Sequence, residues 1–248
     1  MHNFFVDNSM KQNNRYIITG TDYNHIINVL RMGVGDTFLV SADGKSDLCE
    51  IESFDNETVT ALVIDENYQN TELPIKIYLF QGLPKSDKME FIIQKSVELG
   101  VYAVVPTEMN RCVVKLDEKK KKSKISRWQS ISESAAKQSK RNYIPKVYDV
   151  LSYKQALEMA SKLDLLIVPY ENENGMKATA EVLNKLQNCK SVGILIGAEG
   201  GFEENEITLA KEMGGEIISL GKRILRTETA AITSVAMCML NAEMNSKE

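Results

Sequence analysis

The feature that most constrains the fold is an alternation of short apolar runs and amphipathic segments that begins at Ile75 and continues through the rest of the sequence. Short apolar runs are typical of buried strands, and apolar residues at helical spacing are typical of surface helices. Strands that alternate with helices predict an α/β fold, a mostly parallel sheet with helices on both faces. The predicted strands are 75–81, 101–106, 163–169, 192–197 and 216–220, and the predicted helices are 86–100, 123–141, 153–161, 176–186, 203–213 and 227–240.

The first 72 residues have a different pattern, in which β-rich runs are separated by turn residues. Asp43-Gly44 lies between two of these runs and is a typical hairpin turn. One helix interrupts the strands, and Asp22 is predicted to cap it. The residues predicted to form its buried face are His25, Ile26, Val29 and Leu30. The pattern predicts a small β-barrel over 1–72, a boundary at 71–74 and a second domain over 73–248.

Composition excludes several classes of protein. No stretch of about 18 apolar residues is present, so a membrane span is not predicted. The first ten residues lack the basic and apolar segments of a signal peptide, so the expected location is the cytoplasm. The cysteines Cys49, Cys112, Cys189 and Cys238 stand far apart, and the sequence has only two histidines. A structural zinc site usually needs such ligands in close pairs, so we predict reduced thiols and no metal.

Positive charge is concentrated in one segment of an acidic chain. Residues 111–146 contain twelve lysines and arginines against three acidic residues, whereas residues 1–72 contain four basic and twelve acidic residues. A basic block of this kind is typical of an anion-binding surface, and a solvated helix face is the alternative. Helical projection places Trp128 on the apolar side, which favours a core residue over a platform for base stacking.

The segment Leu195 to Glu203 passes from an apolar strand through three glycines into a predicted helix. Glycines allow a backbone to approach a ligand closely, and ligands of open α/β sheets bind at such crevices. The pattern is neither GxGxxG nor a phosphate-binding P-loop, which argues against dinucleotides and nucleoside triphosphates. A tight structural turn is the alternative.

The segment Ser219 to Ala231 also leaves a strand and enters a helix. Thr227 is a typical N-cap residue, and Glu228 in the first turn complements the helix dipole. Arg223 and Arg226 follow the end of the strand, where two arginines can bind an anion. Because both segments follow strands of a parallel sheet, we expect them to form one pocket at its carboxyl edge. The apolar face of the last helix must then pack on the sheet or on a partner chain.

These two segments resemble the motifs of the RsmE family, the 16S ribosomal RNA uridine-N3 methyltransferases of the SPOUT superfamily. The likeness runs over nearly the whole chain. Two positions depart from the family pattern, since Ala198 and Lys222 stand where proline is common. The residues that carry the resemblance are Val29–Met32, Lys88–Gly100, Arg111-Cys112 with Val114-Lys115, Leu195–Gly201 and Leu220–Ala230.

The resemblance implies a PUA-like, RNA-binding β-barrel followed by a SPOUT methyltransferase domain with a C-terminal trefoil knot. It also implies a homodimer that binds S-adenosyl-L-methionine in the knot. Tyr170 follows the first of the implied contact residues and is a further candidate. The cofactor contacts that the resemblance implies are Pro169, Leu195, Ile196, Gly197, Glu199, Gly200, Gly201, Leu220, Gly221, Ile224, Leu225, Thr229 and Ala230.

The implied reaction is methylation of uridine N3 in 16S ribosomal RNA of the small ribosomal subunit. We predict that Arg226 stabilises the developing uracil anion, with Glu228 as an alternative general base. Three alternatives stay open: a related enzyme acting on transfer RNA, an RNA-binding protein without catalysis, and a nucleotide-dependent metabolic enzyme. The predicted RNA contacts are Arg31, Lys88, Lys95, Arg111, Lys115, Arg127, Lys137, Lys140, Arg141 and Arg223.

Overall fold

The computed structural model describes residues 1–170 and 175–245. The chain divides into two compact units, the first formed by 1–72 with 136–144 and the second by 73–135 with the residues from 145 onward. The division after residue 72 lies in the predicted boundary, whereas 136–144 was predicted to belong to the second domain. In the described ranges, no helix is long and apolar enough to cross a membrane, and no group of three or more His, Cys, Asp or Glu residues is placed to hold a metal ion.

The first unit is a curled six-stranded sheet. The sheet order is β1-β4-β5-β6-β3-β2, and every pairing is antiparallel except that of β1 with β4. Alternate residues of β6 point inward, so Val59, Ala61 and Val63 are buried in the core with Phe38. The strands are β1 (Asn3–Phe5), β2 (Lys11–Gln12), β3 (Arg15–Thr19), β4 (Thr37–Ala42), β5 (Lys45–Phe54) and β6 (Thr58–Asp65).

The predicted hairpin at Asp43-Gly44 is confirmed, because these two residues connect β4 to β5. Their φ angles are +50° and +79°, the left-handed values that a tight two-residue hairpin turn requires. Aspartate followed by glycine is therefore a structural requirement of this turn.

The helix of the first unit differs from its prediction. Helix α1 (Gly20–Asn24) begins after Thr19, so Asp22 lies in its first turn and does not cap it. A π-helical turn (His25–Val29) follows and widens the helix, which moves residues off the usual 3.6-residue spacing. Ile26 is buried as expected, but Val29 is 61% exposed.

Arg141 is a buried residue of the first unit, with only 3% of its side chain exposed. Its Nε donates to both carboxylate oxygens of Glu72, at 2.9 and 3.1 Å, and its Nη2 donates to the same carboxylate. The backbone N–H groups of Asn142 and Tyr143 also donate to Glu72. The predicted role of Arg141 in RNA binding is therefore wrong, since burial and a bidentate ion pair commit its guanidinium to the fold.

Replacing Glu72 with alanine is expected to lower the free energy of unfolding by about 3–5 kcal/mol, because it leaves the Arg141 cation buried without its partner. Urea denaturation measures the change. The control is Glu52→Ala, which breaks an ion pair with Arg15 at an exposed position of the same unit and should have a much smaller effect. Equal destabilisation by the two variants would contradict this account of Arg141.

The second unit is built on a seven-stranded, all-parallel sheet flanked by helices. The sheet order is β10-β8-β7-β12-β11-β13, and β9 pairs with β8. The strands are β7 (Lys76–Gly82), β8 (Ala103–Glu108), β9 (Lys146–Val147), β10 (Leu151–Ser152), β11 (Leu165–Pro169), β12 (Ser191–Ile196) and β13 (Gly215–Ile218). The helices are α2 (Lys88–Glu98), α3 (Glu118–Gln138), α4 (Tyr153–Ala160), α5 (Met176–Lys185), α6 (Glu204–Glu212) and α7 (Thr227–Met244).

The alternation predicted from the sequence is confirmed, with shifts at element ends and with two additional short strands, β9 and β10, that were not predicted. Helix α3 begins at Glu118, so the lysine run 119–122 lies within the helix. Trp128 is 4% exposed, which confirms it as a core residue.

The chain after β13 returns from the edge of the sheet to its middle. Helix α7 packs against β7, β12 and α2. This return places the segment before α7 beside the carboxyl ends of the central strands. The trefoil knot implied by the resemblance stays a prediction.

Candidate functional site

A cavity of about 440 Å³ opens at the carboxyl edge of the parallel sheet. Its volume lies within the range of small-molecule sites. Three loops supply most of its walls, since they follow β11, β12 and β13 and therefore meet at one edge. The lining residues are Lys88, Pro169, Tyr170, Ile196, Gly197, Ala198, Glu199, Gly200, Gly201, Phe202, Ser219, Leu220, Gly221, Arg223, Ile224, Leu225, Arg226, Thr227 and Ala230.

The turn after β12, residues 197–202, is tightly folded. Gly201 has a φ of +73°, and its N–H donates to the carbonyl of Ala198 at 2.9 Å. A Cβ on Gly197 would lie 3.1 Å from the Phe202 ring, and one on Gly200 would lie 3.1 Å from the Cβ of Arg111. The glycines let the turn pack closely while its backbone faces the cavity.

The turn after β12 is joined to the start of α7 by Thr227. Its hydroxyl donates to the carbonyl of Gly197 at 2.8 Å and accepts a hydrogen bond from Gln81 Nε2 at 3.0 Å. Gln81 is fully buried at the end of β7. The prediction that Thr227 is the N-cap is wrong, because Arg226 occupies that position and Thr227 is the first residue of the helix.

Gly82 also supports the turn after β12. A Cβ at this position would lie 2.6 Å from the backbone nitrogen of Ala198 and 2.9 Å from the carbonyl carbon of Gly197. Gln81 and Gly82 are not among the site residues predicted from the sequence. A polar residue and a glycine at the end of an apolar strand were the signal available in the sequence.

The turn after β13, residues 219–226, is held by side-chain hydrogen bonds at its start. The hydroxyl of Thr179 donates to the carbonyl of Ser219 at 2.9 Å and accepts from its N–H at 3.1 Å. The N–H of Gly221 donates to Ser219 Oγ at 3.2 Å. Elsewhere in the turn, the backbone groups of Leu220, Ile224 and Leu225 make no hydrogen bond to any residue that the structure describes. These groups are available to a ligand.

A cluster of three charged residues lies beside the cavity. The ammonium of Lys88 donates to Glu199 Oε1, and its Nζ lies 3.6 Å from Glu228 Oε2. The backbone N–H of Lys85 also donates to Glu199, at 3.4 Å. The hydrogen bond to Glu199 raises the pKa of Lys88, and the same bond lowers the pKa of Glu199. Lys88 and Glu199 are therefore both charged at neutral pH.

Arg223 and Arg226 line the cavity and are exposed to solvent. Within the described residues neither guanidinium has an ion-pair partner. Arg226 stands at the N-terminal end of α7, where the helix dipole adds to its positive charge. This side of the cavity is therefore suited to an anion.

The structure brings eleven of the thirteen predicted cofactor residues to this cavity. Leu195 does not line it, because its side chain is fully buried in β12. Thr229 does not line it either and is exposed on α7. Of the two predicted catalytic residues, Arg226 lines the cavity, whereas Glu228 lies outside the lining. The cavity is also lined by four residues that were not predicted as site residues: Ala198, Phe202, Ser219 and Thr227.

The predicted RNA contacts fall into two groups. Five of them hydrogen-bond within the chain. Lys88 and Arg141 bind the carboxylates described above, and Lys95 and Arg127 donate to Glu98 and Glu90. Arg111 donates to the carbonyl of Gly200 at 3.0 Å. Arg111 and Arg127 are nevertheless exposed. The remaining predicted contacts, all exposed, are Arg31, Lys115, Lys137, Lys140 and Arg223, of which Lys137 also has a partner within the chain.

Two family models match the chain. An RNA methyltransferase domain matches residues 71–239, and an RNA methyltransferase PUA domain matches residues 18–64. Among curated proteins, the chain is 40% identical to ribosomal RNA small subunit methyltransferase E of Bacillus subtilis over 98% of both chains. It is 34% identical to the protein of that name from Mesomycoplasma hyopneumoniae, over 96% of this chain and 99% of that protein.

A solved structure is similar over the whole fold. It is ribosomal RNA small subunit methyltransferase E from Neisseria gonorrhoeae bound to S-adenosyl methionine. The two chains superpose with a TM-score of 0.77 at 31% identity, over 95% of this chain and 96% of that one. The sequence matches cover both units and the residues of the cavity. This chain therefore belongs to the ribosomal RNA small subunit methyltransferase E family.

Proposed function

We propose that this protein methylates N3 of a specific uridine in 16S ribosomal RNA of the small subunit, with S-adenosyl-L-methionine as methyl donor. The observation that carries the proposal is the single cavity formed by the turns 197–202 and 219–226, with Arg223 and Arg226 at its exposed side. The names of the relatives and the cofactor bound to the Neisseria structure support both the reaction and the donor.

The cavity fits this cofactor. Apolar side chains, among them Pro169, Ile196 and Phe202, suit the adenosine part. The unpaired backbone groups of the turn 219–226 suit the polar edges of adenine and of the amino-acid part. We propose as its contacts the eleven predicted residues that line the cavity.

The bound cofactor supplies an electrophilic sulfonium methyl group. The chain must then orient the uridine, and holding reactants in place can contribute roughly 7–11 kcal/mol. We assign Arg226 to stabilise the negative charge that develops on the uracil as its N3 proton leaves. Glu228 is less suited to act as the base, since it lies outside the cavity lining and is close to the Lys88 ammonium.

We propose that RNA binds through Arg31, Lys115, Lys137, Lys140 and Arg223, with Arg111 and Arg127 also contributing. Affinity for small ribosomal subunits is expected to fall steeply as salt rises, because phosphate contacts release counterions. Replacing Lys115 with alanine should weaken binding a few-fold and lower the salt slope by about one. Filter binding at several salt concentrations measures both quantities.

The control for this measurement is Lys45→Ala, a lysine that is exposed but outside the basic segment. Its salt slope should equal that of the wild type. Binding that stays flat between low and moderate salt would contradict the proposed RNA surface.

We also propose a cytoplasmic homodimer with a trefoil knot. Helix α7 supports the dimer, because Leu240 is 50% exposed and Met244 is 74% exposed near its end. Large apolar side chains exposed together on a helix are typical of an interface. Light scattering after size-exclusion chromatography tests the oligomeric state, and a monomer at micromolar concentration would contradict it.

The test of the function is mass spectrometry of RNA after incubation with the protein and isotope-labelled cofactor. Isolated small subunits should gain one methyl group on a uridine of 16S ribosomal RNA. Methylation of transfer RNA alone would instead favour a related enzyme. Binding of subunits without methyl transfer or cofactor binding would favour a protein that only binds RNA.

A further inference from the structure

We propose that Lys88 is a positioning residue that fixes the turn 197–202 relative to the first turn of α7 and so sets the shape of the cofactor cavity. The inference rests on the proposed function of that cavity. It gives Lys88 a role different from the RNA contact predicted from the sequence.

The geometry places one ammonium group between two separate walls of the site. Lys88 is the first residue of α2, Glu199 belongs to the turn after β12, and Glu228 belongs to the first turn of α7. The Lys88 ammonium hydrogen-bonds to Glu199 and lies 3.6 Å from Glu228. Three segments that are distant in sequence therefore meet at one side chain.

The charges explain why this position needs a cation. Glu228 Oε2 is buried and has no hydrogen-bond partner among the described residues, so the nearby ammonium adds to the helix dipole in stabilising this carboxylate. Without the ammonium, two partly buried carboxylates would face each other and repel. We expect the turn and the helix start to separate in response. The turns 197–202 and 219–226 would then no longer be held at the separation that gives the cavity its shape.

The arrangement also explains why Lys88 is a poor phosphate contact. Its ammonium is engaged by two carboxylates, so the cluster of Lys88, Glu199 and Glu228 carries a net negative charge. Loss of Lys88 should therefore reduce cofactor affinity and leave the salt dependence of RNA binding unchanged.

The test compares Lys88→Met with Lys88→Arg, which retains the charge. Calorimetry gives the Kd of S-adenosylmethionine and of its demethylated product, S-adenosylhomocysteine. We expect Lys88→Met to raise both Kd values by at least about tenfold and by the same factor, since the shape of the cavity changes for both ligands. Lys88→Arg should restore most of the affinity for both ligands, because it keeps a cation between the two carboxylates.

The matched control is Lys185→Met, which removes a lysine that bridges α5 and β13 through Glu216 outside the cavity. It should leave both Kd values unchanged. If Lys88→Met fails to fold, Glu228→Gln provides the second test, because Glu228 lies outside the cavity lining and its charge joins Lys88 to the first turn of α7. It should raise both Kd values by the same factor.

Several outcomes would overturn the proposal. They are unchanged Kd values in Lys88→Met, a loss confined to the cationic S-adenosylmethionine, and no rescue by arginine. A wild-type protein that binds the cofactor but does not methylate 16S ribosomal RNA would contradict the proposed substrate, and the measured affinities would still decide the role of Lys88. A wild-type protein that binds neither ligand would contradict both proposals.

Discussion

Replacing Arg226 with alanine is expected to lower the single-turnover rate of methyl transfer by about 100- to 1000-fold at saturating cofactor and RNA, as the loss of a charge-stabilising donor does in other enzymes. The guanidinium lines the cavity, is exposed on the side open to substrate, and has no ion-pair partner within the described ranges. It is therefore free to interact with the uracil as negative charge develops. Cofactor affinity should change little, because the loss concerns the transition state.

The matched control is Arg223→Ala. Arg223 lines the same side of the cavity three residues earlier and is equally exposed. We assign it to RNA binding, so its loss should weaken RNA affinity while the rate at saturation stays within a few-fold of wild type. A rate for Arg226→Ala that is also within a few-fold of wild type would remove Arg226 from the mechanism.

Gly82→Ala is expected to abolish measurable cofactor binding and to lower the free energy of unfolding by about 2–3 kcal/mol, the usual cost of overpacking a core. The added Cβ would lie 2.6 Å from the backbone nitrogen of Ala198 and 2.9 Å from the Met109 sulfur. A methionine side chain can move, but the backbone of the cofactor turn cannot do so without reshaping the cavity. Calorimetric titration with the cofactor and urea denaturation measure the two effects.

Gly33→Ala is the control for this substitution. Gly33 has an ordinary φ, and a Cβ there would meet no atom within 4 Å. Its stability and its cofactor affinity should match those of the wild type. Cofactor binding by Gly82→Ala at wild-type affinity would show that the turn after β12 does not depend on this close approach.

Much of the fold could be predicted from local patterns. The alternation of strands and helices after Ile75 and the hairpin at Asp43-Gly44 correspond to observed elements, since both depend on neighbours in the sequence. The two glycine-bearing segments were predicted to share a pocket because each follows a parallel strand. Their glycines and Arg226 do line one cavity.

Only the tertiary structure decided the partners of particular side chains. Thr227 fits an N-cap by its position, yet its hydroxyl joins Gln81 to the turn after β12. Arg141 and Lys88 are basic residues that a sequence pattern assigns to RNA, yet one is buried against Glu72 and the other is bound to Glu199.

The physical reason is that hydrophobic periodicity reports whether a residue faces the core or the solvent, and it does not report which distant group it meets. The sequence by itself determined the local elements and the edge of the sheet at which the site forms. Folding decided which polar groups are paired within the chain and which, like Arg226, stay available for chemistry.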